Sequence, residues 1–169
     1  MKAYILGAAA ILAASPALAD TTTNTNLTGA YVGAYGGYDW TDFETAGTDL
    51  SSNDWEAGVF AGYKMDKVMS WTQGYVFGGN AAIEGFYGIS NADSTLEKDN
   101  EWGVSFRPGI SVLDSVTSEV GINPYLILGY RNTKFESAAT DDRFDGFELG
   151  VGTELVAFGN AGLRLDYSH

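Results

Sequence analysis

The sequence predicts an all-β fold, an antiparallel transmembrane β-barrel of the eight-stranded type, and three observations support this prediction. Apolar and polar residues alternate with a period of two in several segments, which is typical of β-strands. No segment after the N-terminus repeats its apolar residues at helical spacing. The N-terminus itself has the layout of an export leader, which directs the rest of the chain out of the cytoplasm.

The leader is the first element. Lys2 supplies a positive charge, Ala3 to Ala14 is uncharged and mostly apolar, and Ala17-Leu18-Ala19 gives the small-x-small pattern of a cleavage site. The apolar stretch is shorter than the about 20 residues that a spanning helix needs, which disfavours the alternative of an N-terminal anchor helix. We therefore expect a signal peptide at residues 1–19 and one barrel domain at residues 20–169.

The composition excludes several classes of protein. The chain has no Cys, so a disulfide framework and Cys-based metal or redox motifs are impossible. Its net charge of −13 disfavours nucleic-acid binding, which needs clustered Lys and Arg to contact phosphates. With 22 Gly, 14% aromatic residues and 3 Pro, the composition suits strands and turns.

The period of two is clearest in two stretches, 54–65 and 100–113. In the first stretch Trp55, Val59 and Tyr63 share one parity, while the other parity carries glycines and charged residues together with Phe60. The same reasoning applied along the chain predicts seven strands. They are at residues 27–43, 54–65, 73–90, 100–113, 122–135, 143–158 and 161–169.

The predicted connections alternate in length. Those at 44–53, 91–99 and 136–142 are polar and acidic, whereas those at 66–72, 114–121 and 159–160 are mostly shorter. Long loops outside and short turns inside are the arrangement of outer-membrane barrels. This pattern predicts an N-terminus in the periplasm and acidic loops at the cell surface.

Residue identity decides between a membrane barrel and a soluble sandwich or lipocalin-like barrel, which alternates in the same way. The apolar parity carries aromatic rings near strand ends, where the two membrane interfaces favour them. The opposite parity mixes Gly and Ser with isolated charges, as expected for a narrow polar lumen. The rings predicted to lie at the interfaces are those of Trp40, Trp55, Tyr75, Tyr87, Trp102, Tyr130 and Tyr167.

Three segments also resemble a known family. Thr28 to Tyr38 (TGAYVGAYGGY), Asn123 to Tyr130 (NPYLILGY) and Gly162 to Tyr167 (GLRLDY) resemble strands of the small outer-membrane β-barrels that include OmpA-like and opacity-type porins. The resemblance covers essentially the whole chain after the leader. It implies an outer-membrane location, and roles that range over envelope integrity, adhesion and weak porin activity.

Charged residues on the inward parity are the candidate functional residues. A lone charge in a narrow lumen is poorly solvated, so pairs or networks are expected, with Arg107, Arg131 and Arg164 paired to carboxylates. One interpretation is a charged gate for small ions, and the favoured one is a static plug that fills the interior. The predicted network comprises Glu56, Lys64, Glu84, Glu101, Arg107, Arg131, Glu148, Glu154, Arg164 and Asp166.

A divalent-cation site and an enzyme active site are the two other candidate chemistries. The acidic connections (Asp93 to Asp99, Asp141-Asp142) lack the spaced ligands of a dedicated divalent-cation loop, so no metal site is predicted. His169 and Ser168 suggest a lipid A-modifying barrel enzyme, but adjacent strand residues point to opposite faces, so no enzyme is predicted.

The sequence therefore predicts a structural or porin-like outer-membrane barrel without cofactors, and the alternative is a loop-mediated adhesin or binding protein. The expected partners are outer-membrane lipid, lipopolysaccharide and the barrel-assembly machinery, with no nucleic acid and a monomeric state. Bacterial barrels have an even number of strands, and only seven are counted. We therefore expect the domain to lack its last strand, and the outer edge of strand 161–169 to be open.

Overall fold

Hydrogen bonds between neighbouring strands close the sheet of this computed structural model into a barrel. The structure describes residues 3–14, 28–45, 48–70, 77–91, 97–113, 120–136, 141–157 and 161–169. These ranges contain eight antiparallel strands, each paired with the next along the chain. They are β1 (Ala3–Ala14), β2 (Gly29–Thr45), β3 (Thr48–Ser70), β4 (Phe77–Asn91), β5 (Glu97–Leu113), β6 (Val120–Glu136), β7 (Asp141–Ala157) and β8 (Ala161–Ser168).

Within the described ranges, no helix has the length and apolar character required to cross a membrane.

The seven predicted strands are confirmed as β2 to β8, but several are longer than predicted. Residues 44–53, predicted as a connection, lie mostly in the β2–β3 ladder, where Glu44 faces Asp49 and Thr45 faces Thr48. The turn predicted at 66–72 is also partly strand, because β3 continues to Ser70 through a register shift after Asp66. Polar residues can extend an antiparallel ladder beyond the apolar band, and polarity alone therefore misplaced these boundaries. The predicted turn at 159–160 lies outside the described residues.

The strand β1 overturns the prediction of an open barrel edge. Residues 7–14 of β1 pair with β8, and residues 3–12 pair with β2, so the edge of β8 is occupied. The physical reason is that any unpaired strand edge leaves backbone N–H and C=O groups unsatisfied, and an uncharged segment can satisfy them. β1 lies within the predicted signal peptide at 1–19, and it takes the place that the predicted missing last strand would fill. The signal peptide, the domain at 20–169 and the missing last strand stay predictions.

The two faces of the wall differ as the period of two predicted. On β5 the outward Val104 is 50% exposed, whereas the inward Glu101 and Ser105 are 1% exposed. The rings of Trp55, Tyr87, Trp102, Tyr130 and Tyr167 all lie on the outward face. The side chain of Trp40 and the whole of Tyr75 lie outside the described part of the chain.

Glycines line the interior where inward rings lie against the wall. A Cβ atom at Gly33 would come within 2.7 Å of the Phe60 ring, and one at Gly103 within 2.6 Å of the Phe86 ring. Any larger residue would push these rings out of the narrow interior, since packed interiors tolerate little extra volume. The inward glycines are therefore required by ring packing inside the barrel.

The two faces predict losses of stability of different size for substitutions at adjacent positions of β5. Val104→Arg places a charge on the apolar wall and should lower the free energy of unfolding by about 2 to 4 kcal/mol near the bilayer midplane. Ser105→Ala removes a hydroxyl that accepts a 3.1 Å hydrogen bond from Arg107 Nε, and should cost about 1 kcal/mol. Urea titration of folding into lipid vesicles measures both values, and equal losses would show that the faces are misassigned.

Candidate functional site

The candidate site is the charged interior of the barrel. The structure places all ten predicted residues on the inward face, eight of them buried, with Arg131 and Glu154 half-buried. They form three groups along the interior. We define an upper cluster nearest the β2–β3 hairpin (Glu56, Glu101, Arg131 and Glu148, joined by Asp39 and Lys98), a central cluster (Glu84, Arg107, Arg164 and Asp166) and a lower pair (Lys64 and Glu154).

The central cluster is built around the carboxylate of Glu84. Arg164 donates two hydrogen bonds to it, from Nη1 to Oε2 at 2.6 Å and from Nη2 to Oε1 at 3.0 Å. Arg107 Nη2 lies 2.9 Å from Oε1, and the Tyr31 hydroxyl donates to Oε2 at 3.0 Å. Such a bidentate, charge-assisted arrangement is the strongest kind of ion pair that side chains form. Glu84 thereby ties β4 to β2, β5 and β8.

Asp166 completes the central cluster from β8. It accepts a 2.7 Å hydrogen bond from Arg107 Nη1 and a further hydrogen bond from the Tyr125 hydroxyl. Two carboxylates therefore meet two guanidinium groups, and the charges of this cluster balance. Balance matters here because a buried charge without a partner is strongly destabilising.

Arg131 holds the upper cluster together from β6. Its Nη1 lies 2.9 Å from Glu101 Oε2, and its Nη2 lies 2.7 Å from Glu148 Oε1. The Tyr35 hydroxyl donates to Glu101 Oε1 at 3.2 Å. Among the candidate carboxylates Glu154 has a lysine partner, because it pairs with the ammonium of Lys64 in the lower pair.

Lys98 is an interior residue that sequence reasoning missed. Residues three apart on a regular strand face opposite sides, but the register shifts between Lys98 and Asn100, and both Lys98 and Glu101 face inward. The Lys98 ammonium lies 2.6 Å from Glu56 Oε2 and 2.9 Å from Glu101 Oε2, and it also pairs with Asp39. No sequence signal marks this irregularity, and Lys98 falls within the predicted connection at 91–99.

Asp39 was missed although its signal was present. It shares the parity of Tyr31 and Tyr35 on β2, and all three side chains point into the interior. The carboxylate oxygens of Asp39, Glu56 and Glu101 lie within 4.8 Å of one another, a spacing that could hold a metal ion. The Lys98 ammonium contacts all three carboxylates, so the chain supplies the cation itself.

Aromatic rings fill the space between the charged groups. The guanidinium carbon of Arg164 lies 4.4 Å from the centre of the Phe60 ring, that of Arg131 5.1 Å from Phe86, and that of Arg107 5.5 Å from Tyr125. Each distance is within the range of a cation–π interaction. Each interior arginine among the described residues therefore contacts two carboxylates and one aromatic ring.

The other candidate chemistries are placed as follows. His169 is exposed on the outward parity of β8, and Ser168 lies on the opposite parity, as expected for adjacent strand residues. Asp99 is partly exposed and pairs with Lys134 at 3.3 Å. Asp93 and the side chains of Asp141 and Asp142 lie outside the described residues.

Removing Arg107 should be far more damaging than removing an exposed arginine. Arg107→Met leaves Glu84 and Asp166 with less compensating charge in a buried site, so we expect a loss of about 3 to 5 kcal/mol of folding free energy. The matched control is Arg143→Met, since Arg143 is exposed and donates a 3.2 Å hydrogen bond to the neutral side chain of Asn132. The control should change stability by less than about 1 kcal/mol. Similar losses in urea unfolding of the two variants would contradict a paired interior.

Lys98 generates a prediction based on rescue. Lys98→Met leaves three neighbouring carboxylates without the ammonium group that they share, and it should destabilise the barrel. Adding Glu56→Gln removes one of these charges and should restore part of the loss, with a coupling free energy on the order of 1 to 3 kcal/mol. A double-mutant cycle by urea unfolding measures the coupling. Strict additivity of the two substitutions would show that Lys98 does not neutralise this group.

Comparison with known proteins agrees with this architecture. Searches against curated proteins and solved structures found no match. A family model described as outer membrane protein beta-barrel domain matches residues 5–169, which is nearly the whole chain. The closed antiparallel sheet and its apolar outward face are what a strand-built membrane protein requires. The chain therefore belongs to the outer-membrane β-barrel family, and the outer membrane is its location.

Proposed function

We propose that this protein is a structural outer-membrane barrel whose interior is closed by ion pairs and rings, and that it is not an open pore. The observation that carries the proposal is the bidentate pair between Glu84 on β4 and Arg164 on β8. In a closed barrel of eight strands, β4 and β8 lie on opposite walls. The pair therefore crosses the interior at its full width.

The lower pair supports the same proposal. Lys64 on β3 and Glu154 on β7 also belong to opposite walls, and their side chains meet inside the barrel. An eight-stranded barrel is just wide enough for side chains to fill it. Two crossings in series, together with the interior rings, support a closed interior.

A porin-like role is the second candidate, because the upper cluster is unbalanced. Its described residues supply four carboxylates and two cations, and Glu148 Oε2 is buried without a hydrogen-bond partner among them. Excess negative charge would favour passage of small cations if the pairs exchanged partners. The balanced central cluster opposes such passage, and this favours the closed barrel.

The proposal extends to partners. The outward wall suits contact with membrane lipid, and insertion of such a barrel calls for the barrel-assembly machinery; contact with lipopolysaccharide and a monomeric state are also proposed. We propose no enzymatic activity, since Ser168 and His169 point to opposite faces and cannot act as a nucleophile and its base. We do not propose adhesion through the connecting segments.

Conductance in planar bilayers tests the closed interior. The native protein should give no steady conductance, because the cross-wall pairs occlude it. The double variant Glu84→Ala with Arg164→Ala shortens both side chains of the central crossing and should give conductance steps. The matched control, Arg143→Ala with Asp145→Ala, removes one charge of each sign at exposed positions and should stay silent.

The conductance test needs a folding control for each variant. Heat-modifiable migration in gels establishes that each variant is folded before its conductance is scored. Steady ohmic conductance of the native protein, at the level of the double variant, would refute the closed interior and favour the porin-like role.

A further inference from the structure

We propose that an apolar groove on the outward wall of β2, β3 and β4 is a binding site for one acyl chain of a membrane phospholipid. The groove has a volume of about 750 Å³. Its outward lining comes from Val32, Ala34, Val59, Ala61, Gly85 and Tyr87. The proposal goes beyond the closed interior, because it concerns the opposite face of the wall.

The strand register explains why the wall is hollow at this place. Ala61 on β3 pairs with Gly85 on β4, and both positions face outward. The next outward pair on one side is Val59 with Tyr87, and on the other side it is Tyr63 with Ile83. Two small residues therefore lie between two pairs of bulky residues, each about half exposed. The change from bulky to small side chains and back along these two strands produces the depression.

The floor of the groove is supported from inside the barrel. Phe60 and Phe86, which follow Val59 and Gly85 along their strands, turn inward and pack against Gly33 and Gly103. Phe60 is only 3% exposed, so its ring is fixed in the interior. A groove with a rigid floor is preformed, and a ligand that occupies it needs little rearrangement of the protein.

The chemistry of the groove selects an acyl chain. None of the described side chains that line it is charged, and the only polar group among them is the Tyr87 hydroxyl. The groove is continuous with the wall that faces hydrocarbon in this membrane family, so lipid chains are the molecules that reach it. A second copy of the barrel would present a convex wall, which cannot fill a concave site. A flexible chain can.

The lining also predicts which phospholipids the groove retains. Because no charged lining residue is available to recognise a headgroup, the site should hold the chain and ignore the phosphate substituent. Phosphatidylethanolamine and phosphatidylglycerol with identical chains should therefore be retained equally. A site for a charged headgroup would separate these two lipids, because their net charges differ.

Two glycines provide a matched pair of variants. Gly85 lines the groove and Gly36 does not, yet both face outward on exposed strand positions. A Cβ atom would meet its nearest neighbour at 3.9 Å at Gly85 and at 3.8 Å at Gly36, so a side chain fits the backbone at either position. Gly85→Leu fills the groove, whereas Gly36→Leu adds the same side chain to the wall outside it. Ala61→Leu fills the groove from β3 as an independent second variant.

The experiment is native mass spectrometry of folded protein in detergent, titrated with each phospholipid. We expect one retained lipid on the native protein and on Gly36→Leu, and at least about tenfold weaker retention on Gly85→Leu and Ala61→Leu, equivalent to about 1.4 kcal/mol. Equal retention by the groove-filling variants and Gly36→Leu would overturn the proposal. A preference for one headgroup would also overturn it. So would a result in which the groove-filling variants lose a protein dimer and keep the lipid. Heat-modifiable migration checks that every variant is folded.

Discussion

The backbone of a chain in hydrocarbon has no water to hydrogen-bond, and this constraint governs the rest of the structure. A sheet satisfies every N–H and C=O group only when it has no edges, so eight strands close on each other. Closure divides the side chains of each strand into one set facing lipid and another facing a narrow interior. The lipid-facing set must be apolar, and the chemistry of the protein is consequently confined to the interior and the rims.

The interior then imposes its own constraint, since charges removed from water need partners. Glu84 has four donors around it, and Lys98 meets three carboxylates, so each is satisfied by groups from several strands. Gly33 and Gly103 leave room for the Phe60 and Phe86 rings between these groups. Ion pairs, rings and glycines together occupy a space that a larger barrel would leave to water. Small residues shape both faces of the wall, since Gly33 and Gly103 leave room for the rings inside and Ala61 and Gly85 form the depression outside.

Much of this architecture was predictable, because side-chain parity is a property of the sequence itself. Parity identified ten of the interior charges and the outward rings of Trp55 and Tyr130 without any knowledge of pairing. The interior partners were not predictable, since Glu84 and Arg164 meet only through the tilt and stagger of a closed barrel. Lys98 was lost because a register shift reverses its parity, and no residue type marks such a shift. The pairing of β1 with β8 escaped prediction because an apolar stretch carries no period of two.

The cross-wall pairs also bear on how long the folded barrel survives. Glu84 and Arg164 are 80 residues apart, and Lys64 and Glu154 are 90 residues apart. Such pairs need strands from opposite walls to be in place, so we expect them to form late in folding, after the transition state. Interactions absent from the transition state act mainly on the unfolding rate. We therefore expect the cross-wall ion pairs to slow unfolding and to lengthen the lifetime of the inserted protein, with little effect on the speed of assembly.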